Sequence, residues 1–445
     1  MHLVVVGGSD AGISAALRAR QLAPETDVTV VVADRFPNFS ICGIPYHVSG
    51  DVPRWQSLAH RGQSELEATG MRLRLDTVAR SIDAAERRLI VADGERIPYD
   101  ELVVGTGAVP VRPPIEGLDR LGPADGVFLL HSMADTFALT EALDRGVRDA
   151  LVVGAGYIGV EMVEALTARG LAVTQVEALP EVLPTVDPEL GRLVRERIEK
   201  AGVDVVTGVA VSSVRREGRL VVEGAGSFRR EVDLVLVVVG VRPDTALART
   251  AGVDLGVKGA IAVDRAMRTS VPHVWAAGDC VVTHHRLLGE TYLPLGTTAH
   301  KQGRVAGENA VGGARQYAGS LGSQVVKVFD LVAGRTGLKD AEARAAGFEP
   351  RTVASTADDH KAYYPGAEPI AMRWTGDVHS GRLLGVQMVG HLGSEIAKRI
   401  DVAATAIHSG LTVDEISDLD LTYTPPLGSP WDAVQVGAQA WEAAR

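Results

Sequence analysis

Two glycine-rich turns, each set between a short apolar run and a helical stretch, constrain this chain more than any other feature. The second turn is the more regular. Ala150-Leu-Val-Val153 reads as a buried strand, Gly154-Ala-Gly156-Tyr157-Ile158-Gly159 as the turn, residues 157–169 as a helix and residues 172–176 as a second strand that ends on Glu177. Glycines in such a βαβ unit let the backbone approach a pyrophosphate, and the helix N-terminus holds it with its free N–H groups and dipole. Glu177 lies about twenty residues beyond the glycines, where a carboxylate accepts both ribose hydroxyls and repels a 2′-phosphate. This favours NADH over NADPH. Residues 178–186 contain no arginine to receive such a phosphate, although a basic residue from another loop would reopen NADPH.

The first turn is less regular. Leu3-Val-Val-Val6 precedes Gly7-Gly8-Ser9-Asp-Ala11-Gly12, a helical stretch to about Gln21 and a strand over residues 28–32. Ser9 stands where GxGxxG has its second glycine, and Val32 stands where an acid ordinarily holds the ribose. Asp34, two residues later, is the candidate substitute. Two dinucleotide units in one chain point to a flavin and a nicotinamide. Two apolar runs into glycine turns read as the crossovers between nucleotide domains: Leu102-Val-Val-Gly-Thr106-Gly107-Ala-Val-Pro110, and a return through residues 233–243 that includes Gly240. A further strand-like segment, residues 269–279, ends on Asp279, placed to bind a ribityl hydroxyl.

Composition sets the outer bounds. A chain of 445 residues exceeds what one hydrophobic core usually supports, so two or three domains are expected. No window approaches the 18 apolar residues of a membrane span, so the chain is expected to be soluble. A net charge of −11 argues against a nucleic-acid partner, and basic doublets such as Arg229-Arg230 read as solvated faces. Only Cys42 and Cys280 are present, too few for a disulfide framework. The chain starts directly on a strand, so a reducing cytoplasm is expected. The twelve histidines never take up a metal spacing, so no metal is expected, and His284-His285 reads as a surface loop.

The remaining feature that carries chemistry is Phe39-Ser40-Ile-Cys42-Gly-Ile-Pro-Tyr46. A cysteine ahead of a Gly-x-Pro turn, beside a nucleotide unit, is expected near a helix N-terminus, which lowers a thiol pKa and makes the thiolate a nucleophile. A dithiol enzyme would place a second cysteine five residues on, where this chain has His47. His47 is a candidate base. Without a resolving thiol, Cys42 completes its cycle with something from outside: a mixed disulfide with a small thiol, or a sulfenic acid from oxygen or peroxide. Cys280, directly after Asp279, reads as a buried structural thiol.

In this order the segments resemble the two-dinucleotide flavoproteins that include glutathione reductase, lipoamide dehydrogenase and NADH peroxidase. The single-cysteine branch of coenzyme A disulfide reductases and NADH oxidases is the nearest in pattern. Cys42-Gly-Ile-Pro-Tyr46 carries that likeness together with residues 326–330, Tyr363-Tyr364-Pro-Gly-Ala367 and Tyr423-Thr-Pro-Pro426. Ile41 departs from the asparagine often found before that cysteine. The resemblance implies an α/β fold of two Rossmann-like dinucleotide-binding domains plus an α+β C-terminal dimerisation domain. FAD-binding parts fall at 1–112 and 236–318, the NAD(P)H-binding domain at 113–235 and the dimerisation domain at 319–445. It implies FAD at the Gly7 turn with Asp34, Ser40, Thr106, Gly107, Asp279, Thr297 and Ala299. NADH, or NADPH, falls at the Gly154 turn with Tyr157 over the flavin, Glu161 beside the nicotinamide, and Glu177 and Gly240. C-terminal tyrosines Tyr363, Tyr364 and Tyr423 would approach the cysteine of a partner subunit in a homodimer, where a phenol can protonate a leaving thiolate; packing at the interface is the other reading of them.

Three functions stay open. One is an NAD(P)H-dependent disulfide or persulfide reductase of the coenzyme A disulfide reductase type, acting through Cys42. The second is an NADH oxidase or peroxidase that forms a sulfenic acid on Cys42. The third is an electron-transfer reductase for a protein partner, or a redox sensor, with Cys42 idle or regulatory.

Overall fold

A computed structural model describes residues 1–444 of the chain. They form two compact units, the first comprising Met1–Val111, His131–Phe137 and Gly240–Ser320. Its centre is a five-stranded parallel sheet in the order Val274–Ala276, Glu101–Val104, His2–Val6, Asp27–Val31 and Met71–Arg74. These strands are runs of valine and leucine because both faces are covered. Leu3, Val5, Val28 and Val30 point into one core with the helices Asp10–Leu22 and Gly296–Ala310. Val4, Val6, Val31 and Leu102 point into the other, with Ile82 and Leu89 of a small antiparallel sheet. The two helices meet backbone to backbone, since a Cβ at Gly303 or Gly307 would overlap the carbonyl of Ala11 or Ala15. That contact fixes the N-terminal turns of both helices side by side.

The expected crossover and return lie together in this unit, Ala108–Pro110 pairing antiparallel with Val241–Pro243. Asp244 N–H donates to the Gly107 carbonyl at 2.9 Å, and Thr106 Oγ1 donates to the Asp244 carbonyl at 2.6 Å. Cys280 is fully buried, as expected of a structural thiol, and burial pushes it up to about 11. The expected surface loop at His284-His285 is corrected. Thr283–His285 is a strand paired with Gly289–Thr291, and His285 is buried, with its Nδ1 accepting from the N–H groups of Leu287 and Leu288. One ring points in and the other out, as alternation along a strand requires.

The second unit comprises Arg112–Leu130, Ala138–Val239 and the chain from Leu321. It holds another parallel sheet, in the order Asp204–Thr207, Ala172–Glu177, Asp149–Val153, Leu234–Val237 and Val127–Leu129. The C-terminal part is an antiparallel sheet of five strands in the order Gln324–Val328, Leu331–Gly337, Leu383–His391, Pro369–Asp377 and Pro350–Asp358. Helices Ile396–Ser409 and Ala433–Ala443 pack on it, the second so tightly that a Cβ at Gly437 would overlap the Trp374 ring. Polar contacts tie the two sheets' elements together. Asp187 Oδ2 accepts from Arg373 Nε at 2.5 Å and Gln387 Nε2 at 3.0 Å, and Glu164 pairs with Lys327 while accepting from the Phe329 N–H. Among the described residues no helix is long and apolar enough to cross a membrane.

Candidate active site

The Gly7 turn joins the first strand to the helix Asp10–Leu22. Gly7 sits at φ 116°, a conformation that glycine alone adopts readily, and a Cβ at Gly12 would overlap the Gly7 carbonyl. Strand and helix therefore approach as closely as the fingerprint requires. Ser9 caps the helix in an extended conformation, and Ala11 is buried in the helix contact. Val32 is buried as well, and a Cβ at Gly8 would lie 2.6 Å from its Cγ1. Its branched side chain fills the space over the turn. Asp34 is exposed and accepts from the Phe36 N–H at 2.8 Å, which closes a local turn.

Asp279 stands in the same unit, in the turn after the strand Val274–Ala276, and differs from Asp34 in being half-buried. Its Oδ1 is shielded from solvent and has no hydrogen-bond partner among the described residues. Burial first, and then the charge of Asp10, push its carboxyl up to about 7. A carboxylate with a shielded oxygen to spare calls for a hydroxyl donor, and a flavin's ribityl chain is a row of hydroxyls. The residues present thus fit FAD. Thr297 and buried Ala299 lie in the first turn of Gly296–Ala310, and Gln302 of that helix accepts from the Gly278 N–H at 3.0 Å beside Asp279.

The Gly154 turn is built from the same parts. Gly154 sits at φ 107°, and a Cβ at Gly159 would overlap the Gly154 carbonyl. At Gly156, by contrast, a Cβ would meet nothing within 4 Å, so the space in front of the helix Tyr157–Ala168 is open. Glu177 ends its strand with the carboxylate folded onto the turn. One oxygen accepts from the Ala155 N–H at 2.7 Å and the other from the Leu179 N–H at 2.9 Å. The Tyr157 phenol is pushed up to about 12, chiefly by burial. Ile158 and Glu161 follow on the first turns of the same helix, and Gly240, at φ 110°, falls in the first unit.

Cys42 lies on a single 3-10 turn, Ile41–Gly43, directly before the short helix Ile44–Ser49 with Pro45 in its first turn. The thiol is exposed. Its segment is held against the Gly7 turn by backbone bonds. Asn38 N–H donates to the Gly8 carbonyl at 2.6 Å, Ser40 N–H to Leu58, and His60 N–H to Asn38. His47 Nδ1 donates to the Val52 carbonyl at 2.8 Å, so that nitrogen is committed to closing the turn after the helix. In the second unit Tyr363, Tyr364 and Tyr423 are all exposed. A hydrogen bond to Tyr363 holds the Tyr423 phenol above its ordinary value, while the Tyr364 ring packs edge-on to His360 with centroids 5.7 Å apart.

Sequence reasoning missed two groupings in the first unit. Phe36, Phe39, Trp55 and Phe137 form a ring cluster beside the Cys42 segment, with centroid separations of 5.3 to 5.8 Å. The spacing Phe36-Pro-Asn-Phe39 was its only local signal. Asp10, His60 and His300 also converge, with no signal in their spacing.

Known proteins decide the family. Residues 1–303 match the family model described as pyridine nucleotide-disulphide oxidoreductase, and residues 323–433 match that family's dimerisation domain. The chain belongs to the pyridine nucleotide-disulphide oxidoreductases. As a member of that family it is an FAD-dependent NAD(P)H oxidoreductase acting on sulfur groups. It is 36% identical over 443 residues to the NAD(P)H sulfur oxidoreductase (CoA-dependent) of Pyrococcus abyssi, covering 98% of this chain and 97% of that one. It is 31% identical over 447 residues to an NADH oxidase of Methanocaldococcus jannaschii, covering 99% and 98%. Among solved structures, the NAD-dependent persulfide reductase of A. fulgidus superposes with a TM-score of 0.96 at 35% identity, covering 100% of this chain and 84% of that one. A coenzyme A disulfide reductase of Staphylococcus haemolyticus is also among its relatives, 28% identical over 444 residues and covering 98% of each chain.

Proposed function

We propose that this chain reduces the disulfide or persulfide of a small thiol of the coenzyme A class, with NADH as the preferred reductant and Cys42 as the thiol that meets substrate. The observation that carries the reading is the contrast between the two cysteines. Cys42 is exposed on a segment bonded to the Gly8 carbonyl of the flavin-side turn, whereas Cys280 is fully buried and pushed up to about 11. Only Cys42 is placed to react.

Residues 1–112 and 236–318 would hold FAD through the Gly7 turn, Ser40, Thr106, Gly107, Asp279, Thr297 and Ala299, with Asp34 a candidate for the ribose. Residues 113–235 would hold NADH at the Gly154 turn with Tyr157, Ile158, Glu161 and Glu177. When bound, FAD supplies a two-electron relay from nicotinamide hydride to a sulfur. The Cys42 thiolate attacks one sulfur of the substrate disulfide, forms a mixed disulfide and expels the other half as a thiolate. Two electrons then break that bond, return Cys42 to the thiolate, and release the second thiol with a proton from solvent or a phenol. With a persulfide the expelled group is hydrosulfide. His47 offers only Nε2 as a base, its Nδ1 being bonded to Val52. Tyr363 and Tyr423, joined by a hydrogen bond, form the phenol pair that residues 319–445 would bring to a partner's Cys42 in a homodimer. The reducing chemistry suits the cytoplasm.

A panel of coenzyme A disulfide, its persulfide, other small disulfides and peroxide, assayed with NADH and NADPH, tests this reading. The coenzyme A substrates are expected to give the highest kcat/KM, with NADH ahead of NADPH. The likeness to an archaeal NADH oxidase keeps a second reading in view. Oxygen consumption equal to NADH consumption in the presence of disulfide would decide for that one.

A further inference from the structure

Asp10, His60 and His300 stand far apart in sequence and close together in the fold. Each offers one ligand atom, and those atoms all lie within 4.8 Å of one another. His300 Nε2 is 3.3 Å from Asp10 Oδ1, and its Nδ1 is 2.9 Å from Ser14 Oγ. The His60 and His300 rings are inclined at 71° with centroids 6.1 Å apart.

The scaffold behind these groups is firm. Asp10 and Ser14 share one face of the helix Asp10–Leu22, four residues apart. His300 comes from Gly296–Ala310, which meets that helix at the Gly303 and Gly307 contacts. His60 is fixed by its backbone N–H on the Asn38 carbonyl. Two imidazoles and a carboxylate form a common three-ligand set for zinc, which leaves a fourth position for water or an exogenous ligand. Bonds of about 2.0–2.1 Å to a tetrahedral ion place ligand atoms about 3.3 Å apart. The Asp10–His300 pair already has that spacing, and exposed His60 closes the remainder by side-chain rotation. Ser14 supplies the outer bond that orients a ligating histidine: in the tautomer that donates Nδ1–H to Ser14, the Nε2 lone pair is turned to Asp10 Oδ1 and is free to ligate an ion. The electrostatics agree, because burial raises the Asp10 carboxyl while the two histidines counter it, and its charge in turn helps raise Asp279. The dipole at the start of the Asp10 helix opposes a cation only weakly beside three direct ligands.

We propose that Asp10, His60 and His300 form a divalent-cation site of the zinc type, with its fourth position open to water or a thiolate. The site does not depend on Cys42. Binding requires an ionised carboxylate and neutral imidazoles, so it weakens as pH falls.

The test uses flavin-replete enzyme treated with a chelator. Zn2+ is titrated by calorimetry, and Co2+ is followed by its visible d–d bands beyond the flavin absorption. One ion per chain is expected, with affinity reduced at least tenfold in Asp10→Asn and in His300→Ala, and reduced on going from pH 7.5 to 5.5. Cys42→Ser is expected to bind as wild type. Far-UV circular dichroism and the unfolding midpoint check that each variant is folded, and His60→Ala provides a second exposed position should Asp10→Asn fail that check. Absence of stoichiometric binding in wild type, equal binding by the variants, or loss of binding in Cys42→Ser alone would each overturn the proposal.

Discussion

At the Gly154 turn the carboxylate comes from the end of the adjoining strand, while at the Gly7 turn that position is Val32 and the half-buried carboxylate, Asp279, comes from the turn after the strand Val274–Ala276, much later in the chain. Glu177 already spends both oxygens on backbone N–H groups of its own turn. Asp279 leaves one oxygen unmet and is held near neutrality by burial. The first arrangement is satisfied with or without a ligand, whereas the second is incomplete until a donor arrives. The difference teaches which site should release its nucleotide easily and which should retain it as a resident group.

The two turns also differ in how much space each glycine leaves, and that gives the largest expected effect. Gly12→Ala drives a Cβ into the Gly7 backbone carbonyl, which cannot move aside. A loss of about 3 kcal/mol or more and a chain with little or no bound flavin are expected, read from absorbance per folded chain. Gly156→Ala meets open space and is expected to keep its flavin while raising KM for NADH. Equal flavin content in the two variants would erase the contrast.

Asp279→Asn comes next. Burial has raised this group's folded-state pKa above its unfolded value, so stability of the flavin-free protein should fall as pH rises from about 4 through about 7. The ceiling is roughly 4 kcal/mol at the exchange rate between pKa and free energy. Urea unfolding of flavin-free protein across that range is expected to show the slope in wild type and a flatter profile in the variant. The variant should also release FAD at least tenfold more readily.

The smallest effect belongs to Glu177→Ala. Two backbone N–H groups lose their acceptor, a cost of about 1–3 kcal/mol. KM for NADH is expected to rise about tenfold with flavin content unchanged and with a narrower NADH to NADPH ratio. An unchanged ratio would remove Glu177 from ribose recognition.

The parts legible in the sequence are those whose cause is local. The strand-turn-helix order, the buried parallel strands and the acid ending the strand Ala172–Glu177 all follow from glycine spacing and apolar runs over a few tens of residues. The helix Ile396–Ser409 begins only after Leu392–Ser394 takes a tighter turn and Glu395 adopts φ 50°, a start that no residue pattern marks. His285 was read as a loop residue because a single short ladder to Gly289–Thr291 buries it. The convergence of Asp10, His60 and His300 was invisible, since it depends on two helices separated by most of the chain meeting at glycine. The hydrogen bond between Tyr363 and Tyr423 likewise arises from two loops, with Lys361 N–H donating to the Pro425 carbonyl.

The role of Cys42 is tested most directly by an anaerobic NADH titration of enzyme first oxidised with coenzyme A disulfide and freed of excess reagent. Wild type is expected to consume two NADH per chain, one for the flavin and one for the Cys42 mixed disulfide, and to release one coenzyme A thiol. Cys42→Ser should consume one and release none, while still reducing an artificial dye. A Cys42→Ser enzyme that consumes two NADH, or that turns over the disulfide at the wild-type rate, would contradict the account.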